Sequence, residues 1–310
     1  MYAIRKSDLK KFTPNAKSVC RIEDGSTNSY LRNDREIEDF LLGIEPRYNA
    51  ILEKLRSGKM DCECVYVVAG FIAYVIACSP TAARLGSEPL KHIFEETGRR
   101  LDRRGAIPKV PPSLGGKSFT ELVQSGIVEA SVDPKFPQAI GITSISSYVN
   151  TLGNFSWEIL LNHIDGNPFF TSDFPIAAET TADRRIFNKI VPLAPDIAIR
   201  MRPDFAAARE NANFSFSNFR WRVVKLGRSE CMEINRLIVR CAETTVFFPQ
   251  DLDWIAGFVR KNAGFRIEPR THIIHERKRT FFWMPQEVSG SRSDGHAAPL
   301  PAGVQGIRLL

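Results

Sequence analysis

The residues best placed to do chemistry in this chain are Ser172 and Asp173, which stand between two apolar runs in the sequence NPFFTSDFPI at positions 167–176. The pattern predicts a short buried strand over 168–171 that ends in a polar turn formed by these two residues. A carboxylate at the end of a strand can act as a general base or bind a metal ion. Ser and Asp are also ordinary turn residues, whose side chains accept hydrogen bonds from nearby backbone N–H groups. Catalysis and turn architecture both remain open for this pair.

Glu45 is the second candidate catalytic carboxylate, because it lies where Pro46 should break a helix. Together with Asp173 it could form part of a metal-dependent phosphodiesterase or nuclease-like hydrolase, which needs two or three carboxylates converging on a metal ion. Mg²⁺ or Mn²⁺ would be a cofactor only under this hypothesis, and no other cofactor is indicated. The spacing of the two carboxylates does not force them together, so the sequence leaves open whether the chain is an enzyme.

Other candidate ligand sets do not predict a metal or nucleotide site. His272 and His275 lie in a strand-like segment, where residues three apart point to opposite faces. Cys62 and Cys64 lack the second ligand pair of a structural zinc site. The sequence GGKS at 115–118 lacks the earlier glycine of a phosphate-binding loop. The chain also has no nucleophile elbow, no zinc-peptidase motif and no dinucleotide fingerprint, which argues against those enzyme classes.

The densest basic cluster consists of Arg99, Arg100, Arg103 and Arg104, in a chain with a net charge of +7. These side chains could bind phosphate groups, which makes nucleic acid a candidate partner. Cations at the end of a predicted helix also interact favourably with the helix dipole without any ligand, and we favour this interpretation. The sequence identifies no other partner.

The first half of the chain has the periodicity of helices. Apolar residues at steps of three and four between 33 and 58 predict a helix that Pro46 either kinks or splits after Ile44. The uncharged run from Cys64 to Cys78 is shorter than the roughly 20 residues of a membrane span, so it predicts a buried core helix and no membrane association. Further helices are predicted at 81–104, with an interruption near Gly86 and Pro89, and at 118–125, 144–152, 230–247 and 251–261.

The second half is richer in strand patterns. Strands are predicted at 1–4, 155–163, 187–193, 197–202 and 270–284, and a turn at 165–167 predicts a hairpin between 155–163 and 168–171. The fold class is therefore α+β, with a helical part at about 33–152 packed on a mixed or antiparallel sheet at about 153–285. Residues 1–285 are predicted to form one domain, and the Ser/Gly/Pro-rich segment 286–310 a disordered tail.

The amino-terminal sequence and the cysteines bear on the cellular compartment. The opening residues, MYAIRKSDLKKF, contain no apolar signal region, and the six cysteines form no disulfide framework. These features predict a cytoplasmic protein with reduced thiols.

Several segments, taken in order, resemble the family known as domain of unknown function 4238. The resemblance covers about residues 1–250, and its most recognisable part is the strand and turn PFFTSDFP at 168–175, which is similar to the family pattern F-x-T-S-D-N-P. The other matching segments are 36–38, 44–45, 50–55, 71–73, 157–159, 191–195, 234–235 and Ala242. The family has no established activity, so the resemblance implies kinship of fold without a function.

The chain departs from the family pattern around the Ser-Asp turn. Phe174 stands in place of the usual Asn, the segment 74–80 lacks the usual Gln and Arg, and the usual opening His-Tyr-Val-Pro strand is not matched. If those polar residues line a site in the family, this chain has lost much of it. We therefore favour a non-catalytic or degenerate binding member over the phosphodiesterase hypothesis.

Overall fold

The computed structural model describes residues 1–15, 25, 27–182, 186–204, 214–217, 219–269, 272–276, 279–283 and 286–290. The helices in these ranges are α1 (Glu36–Leu42), α2 (Glu45–Arg56), α3 (Cys62–Cys78), α4 (Pro80–Arg103), α5 (Phe119–Gln124), α6 (Lys135–Thr143), α7 (Ile145–Gly153), α8 (Arg228–Cys241) and α9 (Asp253–Asn262). The strands are β1 (Tyr2–Arg5), β2 (Lys11–Phe12), β3 (Ser156–Leu161), β4 (Thr171–Ser172), β5 (Ala177–Thr180), β6 (Phe187–Ala194), β7 (Ile197–Arg202), β8 (Arg220–Lys225), β9 (Thr245–Phe248), β10 (Phe265–Pro269), β11 (His272–Glu276), β12 (Arg279–Trp283) and β13 (Gln286–Gly290). The predicted α+β class is confirmed.

The amino-terminal helices begin and end largely where the sequence predicts. Pro46 is the second residue of α2, a position where its missing N–H costs no helical hydrogen bond, so the chain breaks between α1 and α2 as expected. Asp61 caps α3 by accepting a hydrogen bond from the Cys64 N–H at 2.8 Å. The predicted interruption of the next helix is wrong, because α4 continues through Pro89.

Helix α3 is the central helix of the core. Its apolar residues pack on neighbouring helices, and Gly141 of α6 approaches it so closely that an added Cβ would lie 2.9 Å from the Ala77 Cα. No described helix is long and apolar enough to cross a membrane by itself; α3 and α4, which bend by 52° at their junction, meet the length and composition test only as a pair. Helix α6 was not predicted from the sequence.

The second half of the chain forms a five-stranded sheet with the order β5-β6-β7-β3-β8. Strand β3 pairs antiparallel with β7 and parallel with β8, so the sheet is mixed. The predicted strands at 187–193 and 197–202 are present as β6 and β7. Strand β8 was missed.

The predicted hairpin between 155–163 and 168–171 is wrong. Strand β4 pairs with β9, in a second sheet of order β2-β1-β9-β4. The helix predicted at 230–247 also differs, since α8 ends at Cys241 and the chain continues into β9. Tertiary pairing with β1 and β4 stabilises this strand where the local periodicity favoured helix.

The predicted disordered tail starts too early. Residues 286–290 form β13, which pairs antiparallel with β10, and Val288 of β13 lies opposite Ile267 and packs against the core. The remainder of the predicted tail, 291–310, lies outside the described residues. The single strand predicted at 270–284 is instead the antiparallel pair β11 and β12. One cluster of buried apolar residues connects the helices with the first two sheets and β10.

Candidate functional site

The Asp173 carboxylate is occupied by donors from the loop that joins α8 to β9. Its Oδ1 accepts from the Glu243 N–H at 3.0 Å, and its Oδ2 accepts from the N–H groups of Thr244 and Thr245 at 2.8 and 3.1 Å. The Thr244 hydroxyl donates a fourth hydrogen bond to Oδ2 at 2.5 Å. A carboxylate with four donors already in place is suited to holding a turn, and few of its lone pairs remain to bind a metal ion.

Ser172 and Lys6 extend this polar junction. Ser172 is buried, and its Oγ accepts a hydrogen bond from the Phe174 N–H at 3.2 Å. Lys6, next to β1, donates from Nζ to the Ala242 carbonyl at 2.5 Å and to the Phe265 carbonyl at 2.6 Å. Burial lowers the Lys6 pKa to about 8, and the nearby Asp173 carboxylate partly opposes that shift. The junction therefore joins four separate segments of the chain through hydrogen-bonded polar groups.

Glu45 lies elsewhere on the surface. It is exposed at the first residue of α2, where a negative charge suits the amino end of the helix. It forms no hydrogen bond or ion pair with the residues that the structure describes, and no contact there connects it to Asp173. More generally, no group of three or more His, Cys, Asp or Glu side chains in the described ranges could hold a metal ion.

The arginine cluster at the end of α4 is partly neutralised by acidic residues one turn or two earlier. Arg99 lies 3.4 Å from Glu95 and 3.9 Å from Glu96, and Arg103 lies 3.2 Å from Glu96. Arg104 is exposed at the end of the helix. Arg100 also has an interaction of its own. The pairing fits a solvated helix end whose cations interact with the dipole and with acidic neighbours.

Two further residues from the segments that resemble the family have structural roles. Asn235 of α8 accepts from the Phe170 N–H and donates to the Pro168 carbonyl, both at 2.8 Å, and so satisfies the backbone before β4. Glu158 of β3 is buried and pairs with Arg200 of β7 and Arg222 of β8. Burial alone would raise the Glu158 pKa, but the arginine hydrogen bonds prevail and lower it to about 2.

A cavity of about 790 Å³ lies between the helices and the five-stranded sheet. Leu85, Pro89 and Ile93 of α4 form one wall, and α6 and α7 form the next. The opposite wall comes from the segment after Asp173 and from β5 and β6, including Phe174 and Ala178. A volume of this size and an apolar lining are typical of small-molecule sites in proteins.

Lys189 of β6 is the cation that borders this cavity. In the part of the chain that the structure describes, its ammonium has no hydrogen-bond acceptor and no ion-pair partner. The side chain keeps some accessible surface because it borders the cavity, yet protein atoms surround it closely, and this burial lowers its pKa. The site thus combines largely apolar walls with a lysine that has no partner among the described residues.

The last wall comes from β10 and β13, and an ion-pair network holds it to α4. Arg84 donates to both carboxylate oxygens of Glu243 at 2.8 Å, to Glu268 of β10 at 2.9 Å and to the Ile267 carbonyl at 2.6 Å. Ile267 and Val288 line the cavity on this side. The bidentate geometry and partial burial of Arg84 make this a stronger connection than an exposed pair.

Sequence reasoning did not identify the cavity. The available signal was Lys189 itself, the lone charged residue in the largely apolar strand pattern FNKIVPL at 187–193. That signal is weak, because a lysine in such a strand can also lie at an exposed edge. The residues of the other walls are distant in sequence and carry no common motif.

The structure therefore defines an α+β protein with an architectural polar turn and an apolar cavity bordered by one lysine. The chain belongs to the family described as Protein of unknown function (DUF4238), which it matches over residues 1–251, so the predicted family is confirmed. No curated protein and no solved structure matches the chain. The cavity residues Ile267 and Val288 follow the matched region in sequence.

Proposed function

We propose that this protein is a non-catalytic binding protein whose ligand is a small, mainly apolar molecule held in the cavity between α4, α6, α7 and the sheet. The observation that carries this proposal is the cavity itself, with about 790 Å³ of space and walls made mainly of aliphatic and aromatic side chains. Burial of apolar ligand surface against such walls supplies the free energy of binding.

The geometry around the predicted carboxylates adds support for a role without catalysis. The Asp173 carboxylate accepts four hydrogen bonds from the protein, and Glu45, at the start of α2, contacts no other carboxylate in the described part of the chain. The phosphodiesterase alternative needs these two groups to share a metal ion. This alternative is tested by incubating DNA and RNA with the protein and Mg²⁺ or Mn²⁺. Nucleic-acid cleavage that is lost in Asp173→Ala would overturn the binding proposal.

A cytoplasmic location is part of the same proposal. The five described cysteines, Cys62, Cys64, Cys78, Cys231 and Cys241, are free thiols, which is the usual state in a reducing compartment. Measuring the thiol state of protein alkylated directly in cells tests this, and disulfide-linked protein would contradict it.

The binding proposal is tested with a neutral, environment-sensitive apolar dye such as Nile red. We expect saturable binding with one dye per chain. Ala178→Phe places a large ring beside Lys189 in the cavity and should weaken dye binding by about tenfold or more, equivalent to about 1.4 kcal/mol.

The matched control is Ala50→Phe, which adds the same ring at an exposed position on α2 and should leave dye affinity unchanged. Absence of saturable binding to the wild type would overturn the proposal. Equal affinity of Ala178→Phe and wild type would overturn the assignment of the ligand to this cavity.

A further inference from the structure

The cations buried in this protein differ in one respect that bears on the ligand. Lys6 donates to two backbone carbonyls, Arg84 binds two carboxylates, and Arg200 binds Glu158 and Glu179. Lys189 has no such partner among the described residues. A buried charge is costly unless it is paired, and this is why burial lowers the pKa of Lys189.

The ionisable groups near Lys189 do not supply the missing negative charge. Cys241 of α8 interacts electrostatically with Lys189, and burial raises the pKa of that thiol to about 11, so it is neutral at physiological pH. Glu287 of β13 also borders the cavity and has an interaction of its own. Apolar residues such as Phe174 and Phe187 line the same cavity as Lys189.

From this arrangement we infer that the ligand is an apolar monocarboxylic acid, whose carboxylate pairs with the Lys189 ammonium and whose hydrocarbon part fills the cavity. This inference rests on the proposed binding function and adds the chemical class of the ligand. One compact ammonium matches one carboxylate, whereas phosphate groups are usually held by several donors or by the bidentate fork of arginine. The apolar walls favour a hydrocarbon chain or an aromatic ring over a sugar or a peptide backbone.

The experiment compares two ligands that differ only in the head group, decanoate and decanol, by displacement of Nile red and by calorimetry. We expect the wild-type protein to bind decanoate at least about tenfold more tightly than decanol, because only the acid pairs with the ammonium in a site of low polarity. In Lys189→Met the preference should be lost or reversed, while Nile red still binds. The control Lys225→Met removes an exposed lysine from β8 of the same sheet and should keep the wild-type preference.

The outcomes separate the inference from the binding proposal. If decanol and decanoate bind the wild type equally well, the charge pairing is wrong and the apolar binding function stands. If Lys189→Met keeps the full preference for the acid, another group recognises the carboxylate and the inference is also wrong. If neither compound nor the dye binds, the binding proposal itself fails. If Lys189→Met does not fold, the relative affinities of the wild-type protein for decanoate and decanol still test the inference.

Discussion

Ionisable groups lie inside the protein both at the Ser-Asp turn and at the Lys189 cavity, but the two regions differ in the partners that the chain supplies. At the turn, Asp173 accepts four hydrogen bonds and Lys6 donates two, all to other parts of the same chain. At the cavity, Lys189 has no partner among the described residues and faces apolar walls. A charge that the chain satisfies by itself stabilises the fold, whereas a charge left unpaired beside an open space is available to a ligand.

The same contrast explains why the most recognisable sequence segment is not the best candidate site. Asp173 and Asn235 hold segments together that are far apart in sequence, and both do so through backbone groups. Such roles depend on exact side-chain chemistry as strongly as catalysis does, because each removed acceptor leaves buried donors without partners. A distinctive motif can therefore mark a structural junction.

The largest expected effect on stability comes from removing the Asp173 carboxylate, which accepts hydrogen bonds from the chain itself. Asp173→Ala removes the acceptor of three backbone N–H groups and should lower the free energy of unfolding by about 2–4 kcal/mol. Urea denaturation followed by circular dichroism measures this. Asp165→Ala, an exposed turn aspartate, is the control and should change stability by less than about 0.5 kcal/mol. Equal stability of Asp173→Ala and wild type would contradict the architectural role.

The next effect compares the two buried lysines by the same substitution. Lys6→Met leaves the Ala242 and Phe265 carbonyls without their donor and should destabilise the protein by about 1–2 kcal/mol. Lys189→Met removes a charge with no partner in the described structure and should stabilise the ligand-free protein by about 1 kcal/mol. Thermal and urea denaturation of both variants would give shifts of opposite sign. Shifts of the same sign would contradict the proposed difference between Lys6, which donates hydrogen bonds to the chain, and Lys189, which has no partner among the described residues.

A third prediction concerns acid stability and Glu158. Its pKa is lowered in the folded protein, so its stabilising contribution is complete above its unfolded pKa near 4.5 and is lost as the pH falls toward 2. Two of its arginine partners, Arg202 and Arg222, are largely exposed, which limits the contribution to about 1–2 kcal/mol. Glu158→Gln should therefore cost most stability at pH 7 and little at pH 2.5. Denaturation midpoints at the two pH values measure this, and a cost independent of pH would contradict the assignment.

The smallest expected effect concerns Arg84, whose ion pairs hold one cavity wall to α4. Arg84→Lys keeps the charge but loses the bidentate contact with Glu243 and should lower stability by about 1 kcal/mol. Because the network joins α4 to β10, the same variant should weaken Nile red binding about twofold to threefold, equivalent to roughly 0.5 kcal/mol. Arg47→Lys, at a long and exposed ion pair, is the control and should change neither quantity. Unchanged dye binding in Arg84→Lys would show that this wall does not depend on the network.

Local sequence patterns predicted many of the elements and few of their pairings. The helix break before Pro46, the buried helix ending at Cys78 and the strands on either side of Pro195 follow from proline stereochemistry and from apolar periodicity, which act within a few residues. Strands β8 and β13 were missed because their residues are polar or partly exposed, and the pairing partners that stabilise them lie far away in sequence. The false hairpin at 155–171 has the same origin, since a turn signal does not specify which strand the chain joins next.

By itself, the sequence determined the α+β class, the family, the principal helices and the three central strands β3, β6 and β7, because these depend on local periodicity and on ordered motifs. Only the tertiary structure decided that the Asp173 carboxylate is occupied by the 243–245 backbone and that Lys189 borders an apolar cavity without a partner in the described residues. The physical reason is that the availability of a charge depends on the donors, acceptors and solvent around it. Those surroundings come from segments separated by many residues, so no local pattern contains them.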